Sequence, residues 1–185
     1  MSDAAILATS SAVGASRKDP QLVTPEGDLL VQRIEGVVID HRPLHEDERG
    51  ELQEVYNPAW GLHTDPLVYA YFVSIRPGQT RGWVVHKIQD DRLFFMRGVF
   101  RIALFDDRPE SATYGMLNVF VISERNRGLL VLPKGVFHAL KNVGREEANF
   151  MNLPTRPYNH EDPDKYRLPL KNDYIPFSFD DEPGS

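Results

Sequence analysis

L-F-F-M-R-G-V-F-R-I-A-L-F, Leu93 to Phe105, is the stretch from which the fold can be read. Most of its apolar residues are β-branched or aromatic, at strand-like density. Gly98 interrupts the run where a chain reversal needs a residue without a side chain, so the stretch predicts two strands around Arg97-Gly98. The flanking stretches share this character. R-G-W-V-V-H-K (Arg81 to Lys87) precedes it and L-P-K-G-V-F-H-A-L-K-N (Leu132 to Asn142) follows, each an apolar run carrying one histidine, His86 or His138. A small β-barrel can bring two such strands together around one cavity, which is where function is expected.

Further out, L-L-V-Q-R-I-E-G-V-V-I-D (Leu29 to Asp40) predicts a strand, and D-E-R-G-E-L-Q-E-V-Y (Asp47 to Tyr56) a turn at Gly50 leading into another. On that strand Leu52, Glu54 and Tyr56 share a face, and the bland reading of Glu54 is an edge-strand charge. L-V-Y-A-Y-F-V-S-I (Leu67 to Ile75) is apolar throughout, as in a strand covered on both faces. Leu117 to Ile122, two short strands around Pro133-Lys134-Gly135, and Ala148 to Leu153 complete a chain of short strands with few helical windows, which argues for an all-β sandwich or barrel. Tyr158 to Pro169, with two prolines and many charges, reads as ordered loop with at most a short helix. The expected organisation is a flexible tail over residues 1–25, one domain over 26–179, and a frayed acidic end over 180–185.

Composition narrows the function classes. Against 27 acidic residues there are 21 basic ones and no basic run, which excludes a nucleic-acid surface. The absence of cysteine removes disulfides, thiolate nucleophiles and cysteine-based metal sites. No segment has the ~20 apolar residues of a membrane span, and the N-terminus lacks a basic leader, so a cytoplasmic protein is expected. His41, His45, His63 and His160 lie in polar, turn-rich surroundings and read as solvated loop side chains, whereas His86 and His138 sit inside apolar strands.

Pro133 to Asn142 resembles the second signature of the cupin barrels, P-x-G-x-x-H-x-x-x-N. The first signature keeps His86 alone, with Val84 where a metal cupin would carry its other histidine, so no metal or other cofactor is expected. From Asp47 to Phe179 the chain resembles the dTDP-4-dehydrorhamnose 3,5-epimerase family of cupins. The motifs are D-E-R-G-E-L-Q-E, Arg81-Gly82, D-D-R-P-E-S-A-T-Y-G (Asp106 to Gly115), Ser123 to Asn126, L-P-K-G-V-F-H, T-R-P-Y (Thr155 to Tyr158) and Asn172-Asp173.

The resemblance implies an all-β jelly-roll and a homodimer that processes a nucleotide sugar. Its chemistry is proton removal beside a C4 ketone, with a histidine base on one face, a tyrosine acid on the other and a cation near the enolate oxygen. Carried over by position, Arg49, Glu54 and Arg81 contact nucleotide and sugar, and His138 is the second active-site histidine. Arg92 stands where a lysine stabilises the enolate, Tyr158 is an aromatic near the base, and Asp106 and Asp173 orient the histidines. The base position of R-G-x-H falls on Val84 and the acid position on Asn152. His86, two residues past Val84 on the same strand face, is the displaced base, which points to exchange at C3 alone. Related 3,4-ketoisomerases carry R-G-x-H-x-H-K, of which this chain keeps the second histidine and the lysine. A ketoisomerase and a non-catalytic sugar-nucleotide binder are the alternatives.

Overall fold

The computed structural model describes residues 18, 21–27 and 30–180. The chain divides into two compact units, residues 1–32 and 33–185. In the first, the Gly27 N–H donates to the Thr24 carbonyl and the Leu30 N–H to the Leu22 carbonyl. The tail expected before residue 25 and the fraying expected after Asp180 fall largely outside the described residues.

Among the described residues the second unit holds twelve strands: β1 (Val38–Asp40), β2 (Leu44–Asp47), β3 (Gly50–Gln53), β4 (Tyr71–Ile75), β5 (Thr80–Val85), β6 (Asp91–Arg97), β7 (Val99–Asp106), β8 (Leu117–Ser123), β9 (Leu129–Leu132), β10 (Val136–Asn142), β11 (Ala148–Asn152) and β12 (Tyr166–Arg167). Two five-stranded antiparallel sheets form, in the orders β1-β9-β6-β11-β4 and β12-β5-β10-β7-β8, and β2 pairs with β3 in a separate ribbon. The only helical element among the described residues is a 3-10 turn at Pro58–Trp60. This is the expected all-β jelly-roll.

Alternation along each strand explains why the strands read as unbroken apolar runs. On β7, Phe100, Ile102 and Leu104 join Leu93, Phe95 and Phe150 of the other sheet in the core between the layers. The intervening Ala103 and Phe105 face the opposite way, where Trp83, Phe137 and Ile175 form a second apolar layer. Phe94 and Leu129 likewise project outward from the first sheet, and Tyr56 and Leu62 cover them.

Several expectations change in detail. β6 and β7 are not a hairpin: β6 pairs with β9 and β11, and β7 with β10 and β8, so the chain at Gly98 crosses from one sheet to the other. The crossing is tight, because a Cβ on Gly98 would lie 2.6 Å from Ala148 Cα and its φ is +94°. Only Tyr71–Ile75 of the Leu67–Ile75 run is a strand, and β4 is an edge whose Phe72 is 59% exposed. The strand expected from Leu29 forms at Val38–Asp40, and part of the expected Tyr158–Pro169 loop is β12, paired with β5.

Candidate active site

Between the sheets opens a cavity of about 300 Å³. β4, β6 and β11 supply one wall with Tyr71, Asp91 and Asn152; β5, β10 and the residues after β5 supply the other with Val84, His138 and His86. The floor is apolar, with Val73, Leu93, Leu140 and Phe150, and three cations line the space: Arg81, Lys165 and Arg167. All three cations are exposed, so the cavity is apolar below and positive at its mouth. Gly82 permits the close pairing of β5 with β10, since a Cβ there would lie 2.5 Å from Ala139 Cα. A wider hollow of about 610 Å³ runs along the exposed β2–β3 ribbon, but it contains no buried titratable group.

At the centre sits Asp91, 3% exposed. Its Oδ2 lies 3.2 Å from His86 Nε2 and 3.8 Å from His138 Nε2, and its Oδ1 accepts a hydrogen bond from the Gln89 amide at 2.9 Å. The two imidazoles stack with centroids 5.7 Å apart. His86 Nδ1 donates to the main-chain carbonyl of Asp164. The Asp164 carboxylate in turn accepts the N–H groups of Lys87, Ile88 and Gln89, which fixes the loop carrying His86.

Both His86 nitrogens therefore face acceptors, which favours the doubly protonated ring. Burial opposes that charge, but the hydrogen bond and the negative charge of Asp91 outweigh it and raise the His86 pKa. Burial also works against Asp91, yet the histidines hold it down to about 2. His138 is pushed down to about 4 by its burial and stays neutral, because Asp91 is farther away and His86 competes for it. Burial first, then Asp91, pushes the Tyr71 phenol up to about 12. His86, Asp91 and His138 are also the donor types of a metal site, with donor atoms within 4.8 Å of one another. Tetrahedral donors around one divalent ion at ~2.1 Å lie about 3.4 Å apart. The rings would thus have to close in to share an ion.

Residues 31–173 match the family described as dTDP-4-dehydrorhamnose 3,5-epimerase. Agl13, a probable low-salt glycan biosynthesis epimerase of Haloferax volcanii, is 33% identical over 137 residues, 74% of this chain and 88% of the relative. The chain belongs to the dTDP-4-dehydrorhamnose 3,5-epimerase family. SpsL, a spore coat polysaccharide biosynthesis protein of Bacillus subtilis, is 31% identical over 149 residues, 80% of this chain and 98% of the relative. Among solved structures, a dTDP sugar isomerase of Desulfovibrio desulfuricans G20 shares the fold with a TM-score of 0.75 at 21% identity, covering 81% of this chain and 94% of that one.

Of the residues that the family resemblance nominates, the cavity gathers His86, His138, Arg81 and Asn152. Val84 and His86 share the cavity face, as the strand period requires. Arg92 does not line the cavity. It is fully buried on the opposite face of β6, where its guanidinium donates to the carbonyls of Leu153, Asp65, Pro66 and Pro154 and to the Tyr56 hydroxyl. Asp106 does not orient a histidine, because Arg108, Ser111 and Thr113 occupy its carboxylate. Burial works against its charge, but these partners hold it well below the usual carboxylate range.

Asp173 and Glu54 are exposed and do not line the cavity. Arg49 is exposed on the β2–β3 ribbon, paired with Asp47 at 2.6 Å. Tyr158 is 41% exposed and stacks edge-on against His160, beside a narrow cleft shared with His86 and Lys165. His63, expected in solvent, is instead half-buried and 2.8 Å from Asp90 Oδ2. Asp91, Tyr71, Lys165 and Arg167 escape the sequence reading. For Asp91 a signal existed, since strand alternation places it, not Arg92, on the same face of β6 as core residues Leu93 and Phe95.

Proposed function

We propose that this protein is an epimerase of deoxysugar-nucleotide and polysaccharide biosynthesis that moves a proton beside the C4 ketone of a dTDP-4-keto-6-deoxyhexose. The observation that carries this reading is the buried His86–Asp91 pair, facing a cavity with an apolar floor and a cationic mouth. The sugar ring fits against the apolar floor, and Arg81, Lys165 and Arg167 offer the diphosphate its charge partners. With Nδ1 held by the Asp164 carbonyl, His86 titrates at Nε2, which sits beside Asp91 Oδ2 in the cavity wall and takes the proton from C3. Asp91 stabilises the imidazolium that forms.

Lys165, whose pKa burial and the neighbouring Arg167 lower against the opposing pull of Asp91, takes the enolate-stabilising duty expected of Arg92. His138, neutral and stacked on His86, completes the proton-carrying pair. The retained second histidine of R-G-x-H-x-H-K favours a 3,4-ketoisomerase as the second reading, and that reaction uses the same C3 proton.

The protein acts in the cytoplasm as a homodimer, its copies paired along an exposed sheet edge such as β4. The test is deuterium uptake from D₂O at C3 of the nucleotide sugar. Uptake should depend on His86 and be indifferent to His160, whereas a protein that binds the sugar nucleotide without any uptake is a binding module instead.

A further inference from the structure

Asn152 stands where the family has its acid tyrosine, and an amide has no proton to give to a carbon. The residue directly opposite it in the β11–β4 pairing is Tyr71, whose side chain lines the cavity. Asn152 Nδ2 donates to the Tyr71 hydroxyl oxygen at 2.8 Å. The same amide also helps to hold Asp91 ionised, and a carboxylate only accepts, so the NH₂ end of Asn152 faces this corner. A phenol oxygen that accepts from an amide keeps its one O–H for a partner elsewhere, and the space in front of it is the cavity. Tyr71 approaches from the sheet of β4, β6 and β11, whereas His138 and His86 come from the sheet of β5 and β10 or the loop after it. Base and phenol thus face the enclosed space from opposite walls.

We propose that Tyr71 is the catalytic acid, a phenol supplied across one strand pair from the position where the family carries it. This rests on the proton-transfer reading above. His86 Nε2 takes the C3 proton, and the C–H electron pair moves to the C4 oxygen as an enolate. The Tyr71 O–H bond then breaks, its proton adds to the opposite face of C3, and the returning electron pair restores the ketone. The phenolate keeps the Asn152 hydrogen bond and the imidazolium keeps Asp91. Passage of the imidazolium proton to the phenolate through solvent returns both groups to their starting state. Burial and Asp91 keep the phenol protonated at neutral pH, as an acid must be before it acts.

A purely structural tyrosine would contribute only its packing and the Asn152 hydrogen bond. Tyr71→Phe separates the two roles when a dTDP-4-keto-6-deoxyhexose is followed by NMR in D₂O. Because His86 can return a deuteron to the face it came from, the variant should still deuterate C3 of recovered substrate at close to the wild-type rate. Formation of the C3-inverted sugar should fall by ~10²- to 10⁴-fold. The retained exchange also serves as the control for folding and binding. Inversion at the wild-type rate overturns the proposal, as does loss of exchange and inversion together. Wild-type protein that takes up no deuterium removes the proton-transfer reading itself, a result separate from either outcome for Tyr71.

Discussion

Asp91 carries its charge where water scarcely reaches, and what keeps it ionised is the imidazolium of His86. The coupling runs both ways, so the raised pKa of His86 depends on Asp91. A base must be neutral to accept a proton, hence the rate should rise with pH through the His86 pKa, above its usual ~6.5. In Asp91→Asn that acid limb should move to lower pH. The plateau should fall as well, since the imidazolium that forms loses its charge partner. A kcat/KM profile with an unmoved limb would take Asp91 out of the account. Arg92 shows why the residue scale was only partly legible. Position in the motif put a cation there, but alternation on β6 turns it away from the cavity and a ring of carbonyls holds it in the core. His86 and His138 were legible because polar rings inside apolar strands stand out locally. Tyr71 was not, because its meaning comes from Asn152, far along the chain.

The segment ending in β12 is the element that completes the site. Asp164 holds three main-chain N–H groups of the His86 loop and its carbonyl fixes His86, while Lys165 and Arg167 reach the cavity from the same segment. Prolines and charges marked it as loop, since the pairing of β12 with β5 depends on residues far off in sequence. Replacing Asp164 with Ala leaves three donors without their acceptor, at a cost of about 1–3 kcal/mol. Amide exchange at Lys87, Ile88 and Gln89 should accelerate, and kcat should drop with little change in affinity for dTDP. Unchanged protection of those three amides would show that the loop holds itself. The sheets themselves were readable from apolar runs and glycines. The supposed hairpin at Gly98 was not, because period and turn residues locate a chain reversal without saying whether the next strand joins the same sheet.

At the scale of the molecule, two packed sheets hold groups from both walls within reach of one sugar ring, and the edges those sheets leave open predict the assembly. Phe72 points outward from the edge strand β4. Sedimentation at micromolar concentration should give the mass of two chains; a single-chain mass would count against pairing. The central claim, that a base in this cavity removes the C3 proton, is tested most directly by deuterium. Wild-type protein, a dTDP-4-keto-6-deoxyhexose and a chelator in D₂O should yield sugar deuterated at C3 and not at C5. His86→Asn should lose that uptake by ~10²-fold or more, and His160→Asn should retain it. Binding of the sugar nucleotide with no deuterium at either carbon would contradict the account.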